Sequence, residues 1–242
     1  MKAMALQPGY REIPAGRPGL ACLWLHVSGA VARPTRILPD ACVDLIWVAG
    51  RGVHLAGPDT TAVLAELAPG SVVAGVRFAP GAGGPALGRA LDADRDARVA
   101  LPDLVAPDLE PREALRALAQ AAGQMLAAGP PDRAVAEAAR RLADPAQRVD
   151  ALADDLGLSD RQLRRRCLAA AGHTPKVLQR VLRFRAFLAA AERHPEPDLA
   201  RLAAEHGYAD QAHLTNECAR LAGLPPAALL RDRRGASATA AG

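Results

Sequence analysis

One pattern occurs twice in the C-terminal half of this 242-residue chain, and a duplicated pattern constrains a fold more tightly than composition can. The first copy, Ala151 to Gly172, reads ALADDLGLSDRQLRRRCLAAAG; the second, Arg201 to Gly223, reads RLAAEHGYADQAHLTNECARLAG. Each sets a short apolar helix before a glycine turn, at Gly157 and Gly207, then opens a second helix carrying a Leu and, four residues on, a Cys. Leu163 with Cys167 corresponds to Leu214 with Cys218, and a spacing of four puts each pair on one helix face. Two helices joined by a short turn containing Gly form a helix-turn-helix, whose second helix lies in the major groove of DNA.

Charge follows the repeat. The net charge is +4; residues 1–146 hold 15 basic and 15 acidic side chains, whereas 147–242 hold 15 and 11. Such an excess agrees with phosphate binding, although scattered Arg also means a solvated face. No uninterrupted apolar run of roughly 18 residues is present to span a bilayer, and the first residues lack the apolar core of a signal peptide. The expected location is the cytoplasm. The four Cys, at 22, 42, 167 and 218, have no C-x-x-C spacing, so neither a disulfide framework nor a zinc site is expected.

The first hundred residues carry strand-like runs at Leu20 to Val27, Cys42 to Val48, Val53 to Ala56 and Ser71 to Phe78, with Ala49-Gly50-Arg51-Gly52 suited to a hairpin. A small antiparallel β domain, sandwich or barrel, is the expectation. Helical spacing then takes over, with Leu115, Leu118, Ala122, Met125 and Leu126 in one stripe and Val135, Ala139 and Leu142 in another, parted by Gly129-Pro130-Pro131. The predicted chain is α+β: a β-rich sensing domain over 1–105, a helical connector over 106–145, a double helix-turn-helix over 146–234 and a disordered tail over 235–242.

The GLSDRQLRRR run, the Gly172-His173-Thr174-Pro175 turn with the long helix after it, GYADQAHLTNE, and Gly223-Leu224-Pro225-Pro226 together resemble the double helix-turn-helix domain of AraC-type transcription regulators over 147–230. Cys167 and Cys218 depart from that pattern by standing where the family usually has Phe, and Asn216 by standing where it often has Arg. A second resemblance lies in Arg36 to Trp47, Leu55-Ala56-Gly57-Pro58 and Gly75 to Ala82, which are similar to the sensor-like domain that precedes such units. The resemblance implies a usually cupin-like partner domain, with effectors that vary widely, and a DNA-binding regulator.

With Leu163 and Cys167 turned inward, the opposite face of the first recognition helix carries Arg161, Gln162, Arg164 and Arg165; guanidinium groups there can fork onto guanine O6 and N7. The resemblance implies major-groove contacts for Arg161, Arg164 and Arg165, while Arg166 is read as a phosphate contact or a solvated charge. In the second unit the candidates are Gln211, His213, Thr215 and Asn216, with Ala212 able to touch a thymine methyl. Pro175 to Glu192 is expected as one linking helix of about 27 Å, from which Arg180, Arg183 and Arg185 reach phosphates or stay solvated.

In the N-terminal half Asp40, Asp44, Trp47 and Arg77, with Trp24 and Phe78, are candidates to line an effector pocket, against the plainer reading of Trp and Phe as core. The glycine-rich 80–88 stretch lacks the Gly-Lys-Ser/Thr ending of a phosphate loop and is expected to be a tight loop at a strand end. No catalytic residue, cofactor or metal is assigned: His26 and His54 lack paired ligand spacing, and no basic cluster flanks Cys22 or Cys42 to activate a thiol. The alternative kept open is an enzymatic or thiol-reactive N-terminal domain fused to a DNA-binding module. The implied partners are double-stranded DNA and a small-molecule effector; RNA polymerase and a second copy of the chain are further partners such a regulator could engage, and no membrane is expected.

Overall fold

Alternation of residue type sets the sheet. In the computed structural model, which describes residues 7–31 and 34–240 with side chains up to 235, β4 (Val43–Val48) turns Val43, Leu45 and Trp47 into a core and Asp44, Ile46 and Val48 to the opposite face. The neighbouring strands are β1 (Gly9–Ile13), β2 (Leu20–Val27), β5 (Gly52–Ala56), β7 (Val72–Phe78) and β8 (Arg98–Leu101). They form one antiparallel six-stranded sheet in the order β1-β2-β7-β4-β5-β8. The expected hairpin joins β4 to β5: Val48 pairs with Gly52, and Gly50 takes φ 74° at its tip. A separate two-stranded ribbon, β3 (Thr35–Ile37) with β6 (Val63–Ala65), stands off the sheet. The sequence reading had not marked β1, β3, β6 or β8, because these strands are three to five residues long and largely exposed, so alternation is weak.

The stretch expected as a loop at 80–88 contains a five-residue helix, α1 (Gly83–Leu87). After β8 the chain is helical: α2 (Pro111–Ala128), α3 (Arg133–Leu142), α4 (Val149–Asp155), α5 (Asp160–Ala171), α6 (Pro175–Glu192), α7 (Leu199–Glu205), α8 (Gln211–Ala222) and α9 (Pro226–Ala240).

Packing divides the anticipated connector. Ala114, Leu118, Ala122 and Leu126 of α2 share a core with the Val43–Trp47 side of the sheet. Val135, Ala138, Ala139 and Leu142 of α3 belong instead to the core of α4 to α9. The break at Gly129-Pro130-Pro131 thus separates helices buried in two different cores, the second of which also takes in Leu38 and Ala41. Physically, each helix offers one apolar face, and each face is buried by a different partner. The backbone of α9 runs on helical to Ala240, with alanines at 236, 238 and 240 that favour helix, and 241–242 of the anticipated tail lie outside the described residues.

Candidate functional site

The two repeats fold alike down to single hydrogen bonds. In the first unit the Leu158 amide donates to the Ala153 carbonyl at 2.9 Å across Gly157; in the second the Tyr208 amide donates to Ala203 at 2.9 Å across Gly207. Gly157 and Gly207 hold φ of 65° and 71°, a left-handed backbone that a side chain disfavours, so a glycine at that place in each copy is a requirement of the turn. Leu163, Cys167, Leu214 and Cys218 are all buried in one core. Burial pushes the Cys167 and Cys218 thiols each up to about 12.

Helix α5 starts from a capping box. The Gln162 amide proton goes to Ser159 Oγ at 3.3 Å, and the Ser159 amide donates to Gln162 Oε1 at 2.8 Å. The Gln162 carboxamide oxygen is thereby used at the helix start. Arg166 is likewise committed: its guanidinium grips Asp132, the N-cap of α3, at 2.7 and 2.9 Å, tying the recognition helix to α3. What remains outward on α5 is Arg161, Arg164 and Arg165, all exposed and, among the described residues, without an ion pair. Cationic groups so placed can meet phosphates or guanine edges.

Helix α8 is chemically different. Asp210 caps it, its carboxylate accepting from the His213 amide at 2.7 Å. His213 is largely used in building the unit, because its Nδ1 accepts from the Ala209 amide at 3.2 Å and its ring meets Tyr208 edge-on at 5.4 Å. Gln211, Ala212, Thr215 and Asn216 line a shallow concavity of about 410 Å³, and the Thr215 hydroxyl donates to the Gln211 carbonyl at 2.8 Å.

Between the units, α6 spans 18 residues and roughly 27 Å. It buries Leu178, Val181, Phe184, Phe187 and Leu188 against both. Two of its arginines are internal fasteners: Arg180 pairs with Glu217 at 2.9 Å, and Arg183 donates to the Gly207 carbonyl at 2.9 Å while lying 4.7 Å from the Tyr208 ring centre.

In the N-terminal half the sheet face turned away from α2 gathers a polar group. Arg77 donates to both Asp44 oxygens, at 3.0 and 3.1 Å, approaches Asp40 at 3.3 Å and reaches Glu12 at 3.3 Å. Trp24 Nε1 donates to Asp44 at 3.2 Å, and Tyr10 stacks obliquely on Trp24 with centres 5.8 Å apart. Trp24 can lie across the sheet only because its neighbour on β7 is Gly75: a Cβ there would come within 2.1 Å of the indole. Burial pushes Asp44 up to about 6 against the pull of Arg77, while burial lowers the Arg77 guanidinium less than Asp44 and Asp40 raise it, leaving it charged.

Of the four sequence candidates, Asp40, Asp44 and Arg77 come together and Trp47 does not. Trp47 is 0% exposed in the core beneath α2, its Nε1 donating to the Ala106 carbonyl at 2.9 Å, and Phe78 is buried beside it. The parity of the strand held this signal, since residues 44 and 47 are an odd number apart and must face opposite ways. Trp24, the other tryptophan offered, does join Asp44 and Arg77, and Tyr10 and Glu12 are added by a pairing register that a single strand's sequence does not reveal. An open groove of about 510 Å³ lies elsewhere, lined by Leu55, Leu87, Arg89, Leu101, Leu104 and Met125 among others.

The N-terminal half also touches both recognition helices. Gly84 of α1 sits where a Cβ would be 2.2 Å from the Ala169 carbonyl oxygen of α5. At the other unit, Arg36 of β3 donates to the Ala222 carbonyl at 2.8 Å and pairs with Asp232 at 3.2 Å, while the Ala62 amide donates to Leu221 at 2.8 Å. The ribbon thus satisfies two carbonyls at the C-terminus of α8 that the helix leaves without internal partners.

Residues 152–232 match the model of a helix-turn-helix domain, and residues 17–100 match that of a domain of unknown function. No curated protein matches the chain. Among solved structures, the chain is similar to ToxT from Vibrio cholerae at 10% identity, covering 92% of this chain and 98% of that one with a TM-score of 0.48. An apo variant of ToxT matches at 12% identity over 89% and 98% of the two chains, TM-score 0.47, and ToxT bound to unsaturated fatty acid at 11% over 86% and 93%, TM-score 0.44. The stretch matched to a helix-turn-helix domain coincides with the paired units that fold alike.

Proposed function

We propose that the protein recognises a specific operator by setting α5 and α8 in successive major grooves, and that a small molecule bound by the N-terminal domain adjusts this engagement. The observation that carries the first part is the sorting of arginines in the DNA-binding half. Arg166, Arg180 and Arg183 are used inside the fold, whereas Arg161, Arg164 and Arg165 stand exposed on one capped helix. Free guanidinium groups on a rigid helix lose little order on binding and can read guanine bidentately.

For the effector, the supporting feature is the face formed by Tyr10, Glu12, Trp24, Asp40, Asp44 and Arg77, where aromatic surface adjoins partly buried charge. Signal would travel by the contacts of α1 on α5 and of the β3–β6 ribbon on α8. The protein acts by binding and not by catalysis: burial pushes Cys22 up to about 11 and Cys42 well above its ordinary value, which disfavours the thiol-reactive alternative. No described helix is long and apolar enough to cross a membrane. In this reading the protein works on cytoplasmic promoter DNA, with RNA polymerase its neighbour there. In this reading the DNA-binding body takes in α3, whose Val135, Ala138, Ala139 and Leu142 share a core with α4 to α9.

Selection of bound duplexes from a random pool by the full-length protein, with excess competitor DNA, tests this. Enrichment of an asymmetric motif of two half-sites one helical turn apart supports the proposal; recovery of unenriched DNA overturns it.

A further inference from the structure

We infer that the two half-sites differ in base composition, and that α8 reads A·T pairs by contact with thymine methyl groups. The inference rests on the major-groove reading above and concerns what the second helix can recognise once there.

Four side chains line the outward concavity of α8: Gln211, Ala212, Thr215 and Asn216. Their spacings of three and four place them on one helix face. None is charged. The two acidic neighbours, which could accept from cytosine N4, are engaged elsewhere: Asp210 caps the helix by accepting from the His213 amide at 2.7 Å, and Glu217 is turned to Arg180 at 2.9 Å. His213 has Nδ1 occupied by the Ala209 amide.

Thr215 decides the chemistry. Its hydroxyl proton is given to the Gln211 carbonyl at 2.8 Å, so towards a partner it offers a methyl and an oxygen that can only accept, as from adenine N6. That methyl and the Ala212 Cβ make a small apolar surface bordered by the amides of Gln211 and Asn216. In the major groove, thymine alone offers a C5 methyl, and adenine offers the N6 donor and N7 acceptor that a carboxamide matches bidentately. Methyls between carboxamides complement consecutive A·T pairs. On α5 the arrangement is the reverse: Gln162 is spent in the capping box and three guanidinium groups face out, matching guanine.

The test combines the selected operator with deoxyuridine, which removes the thymine methyl and leaves base pairing unchanged. Full-length protein is titrated against the operator with thymines in the second half-site replaced singly by deoxyuridine. Loss of one methyl contact should weaken binding about four-fold, the value of one buried methyl-sized group. In Thr215→Ala that sensitivity should vanish at one position. In Thr215→Val, which keeps the methyl and lacks the hydroxyl, it should persist. A second half-site selected as G·C-rich or without preference, beside a well-defined first half-site, overturns the inference and leaves the regulator reading intact. Equal deoxyuridine effects in wild type, Thr215→Ala and Thr215→Val overturn it as well. Failure to select any motif overturns both together.

Discussion

His173 follows the αL residue that ends α5, and it is enclosed where the two halves of the chain meet. It is 0% exposed, and neither ring nitrogen has a hydrogen-bond partner among the described residues. Gly172 beside it abuts Pro58 and Leu91 of the N-terminal half, from which Arg95, Asp96 and Asp40 also act on the ring. Burial pulls the imidazole down from 6.5 to about 4; Arg95 adds to this, and Asp96 and Asp40 oppose it. A histidine held low in the folded state binds protons more weakly there than when unfolded. The unfolded chain therefore takes up more protons between about pH 6.5 and 4, and stability falls as pH drops through that window. From pH 7 to pH 5 the loss should be about 2 kcal/mol.

Asp44 opposes this. Its carboxyl is raised from 3.8 to about 6, so the folded state binds its proton more tightly, and acidification over the same range adds on the order of 1 kcal/mol. The wild-type pH curve is thus a poor readout, and the informative quantity is the difference between wild type and His173→Leu, which fills similar space without a titrating group. Urea unfolding of both at pH 7, 6 and 5 should show the variant gaining about 2 kcal/mol on wild type by pH 5. A difference that stays constant with pH would refute the assignment of His173 as a buried neutral imidazole.

Three further outcomes follow from the packing. Arg165→Ala should weaken binding to the selected operator by about 1–3 kcal/mol with much less effect on random DNA, whereas Arg166→Ala, which releases Asp132 from α5, should lower the melting temperature and spare discrimination between operator and random DNA; band-shift titration and thermal melts separate the two. A fragment starting at 146 lacks the buried Val135 and Leu142, each worth about 2–5 kcal/mol if cut to Ala, so it should melt well below one starting at 131, and equal melting would contradict the shared core. Gly84→Ala inserts a Cβ within 2.2 Å of the Ala169 carbonyl and should cost about 1–3 kcal/mol or more of stability; a neutral result in denaturant titration would show that α1 and α5 are not in contact in solution.

Much of the DNA-binding half was legible beforehand because its determinants are local. Ser159 and Gln162 lie three residues apart and make the cap of α5 between them; Gly157 and Gly207 fix the turns; Pro175 and Thr174 start α6 where expected. Strands β2, β4, β5 and β7 were found for the same reason, since alternation over five to eight residues is a property of the segment itself. Which arginines stay free was not visible. Arg164, Arg165 and Arg166 are adjacent and chemically identical, yet only Arg166 meets Asp132, a residue 34 positions away.

The sequence by itself determined the two helix-turn-helix units, the helix between them and the antiparallel strands ahead of them, because caps, glycine turns and hydrophobic period act within a few residues. Tertiary structure alone decided that α2 joins the sheet and α3 the core of α4 to α9, and that of the two tryptophans Trp24 lies beside Asp44 and Arg77 and Trp47 does not. It likewise decided that the β3–β6 ribbon completes the C-terminus of α8. Each of these depends on which surface meets which across long separations in the chain, where burial is nearly indifferent to identity among apolar faces of similar size and only the assembled packing selects the partner.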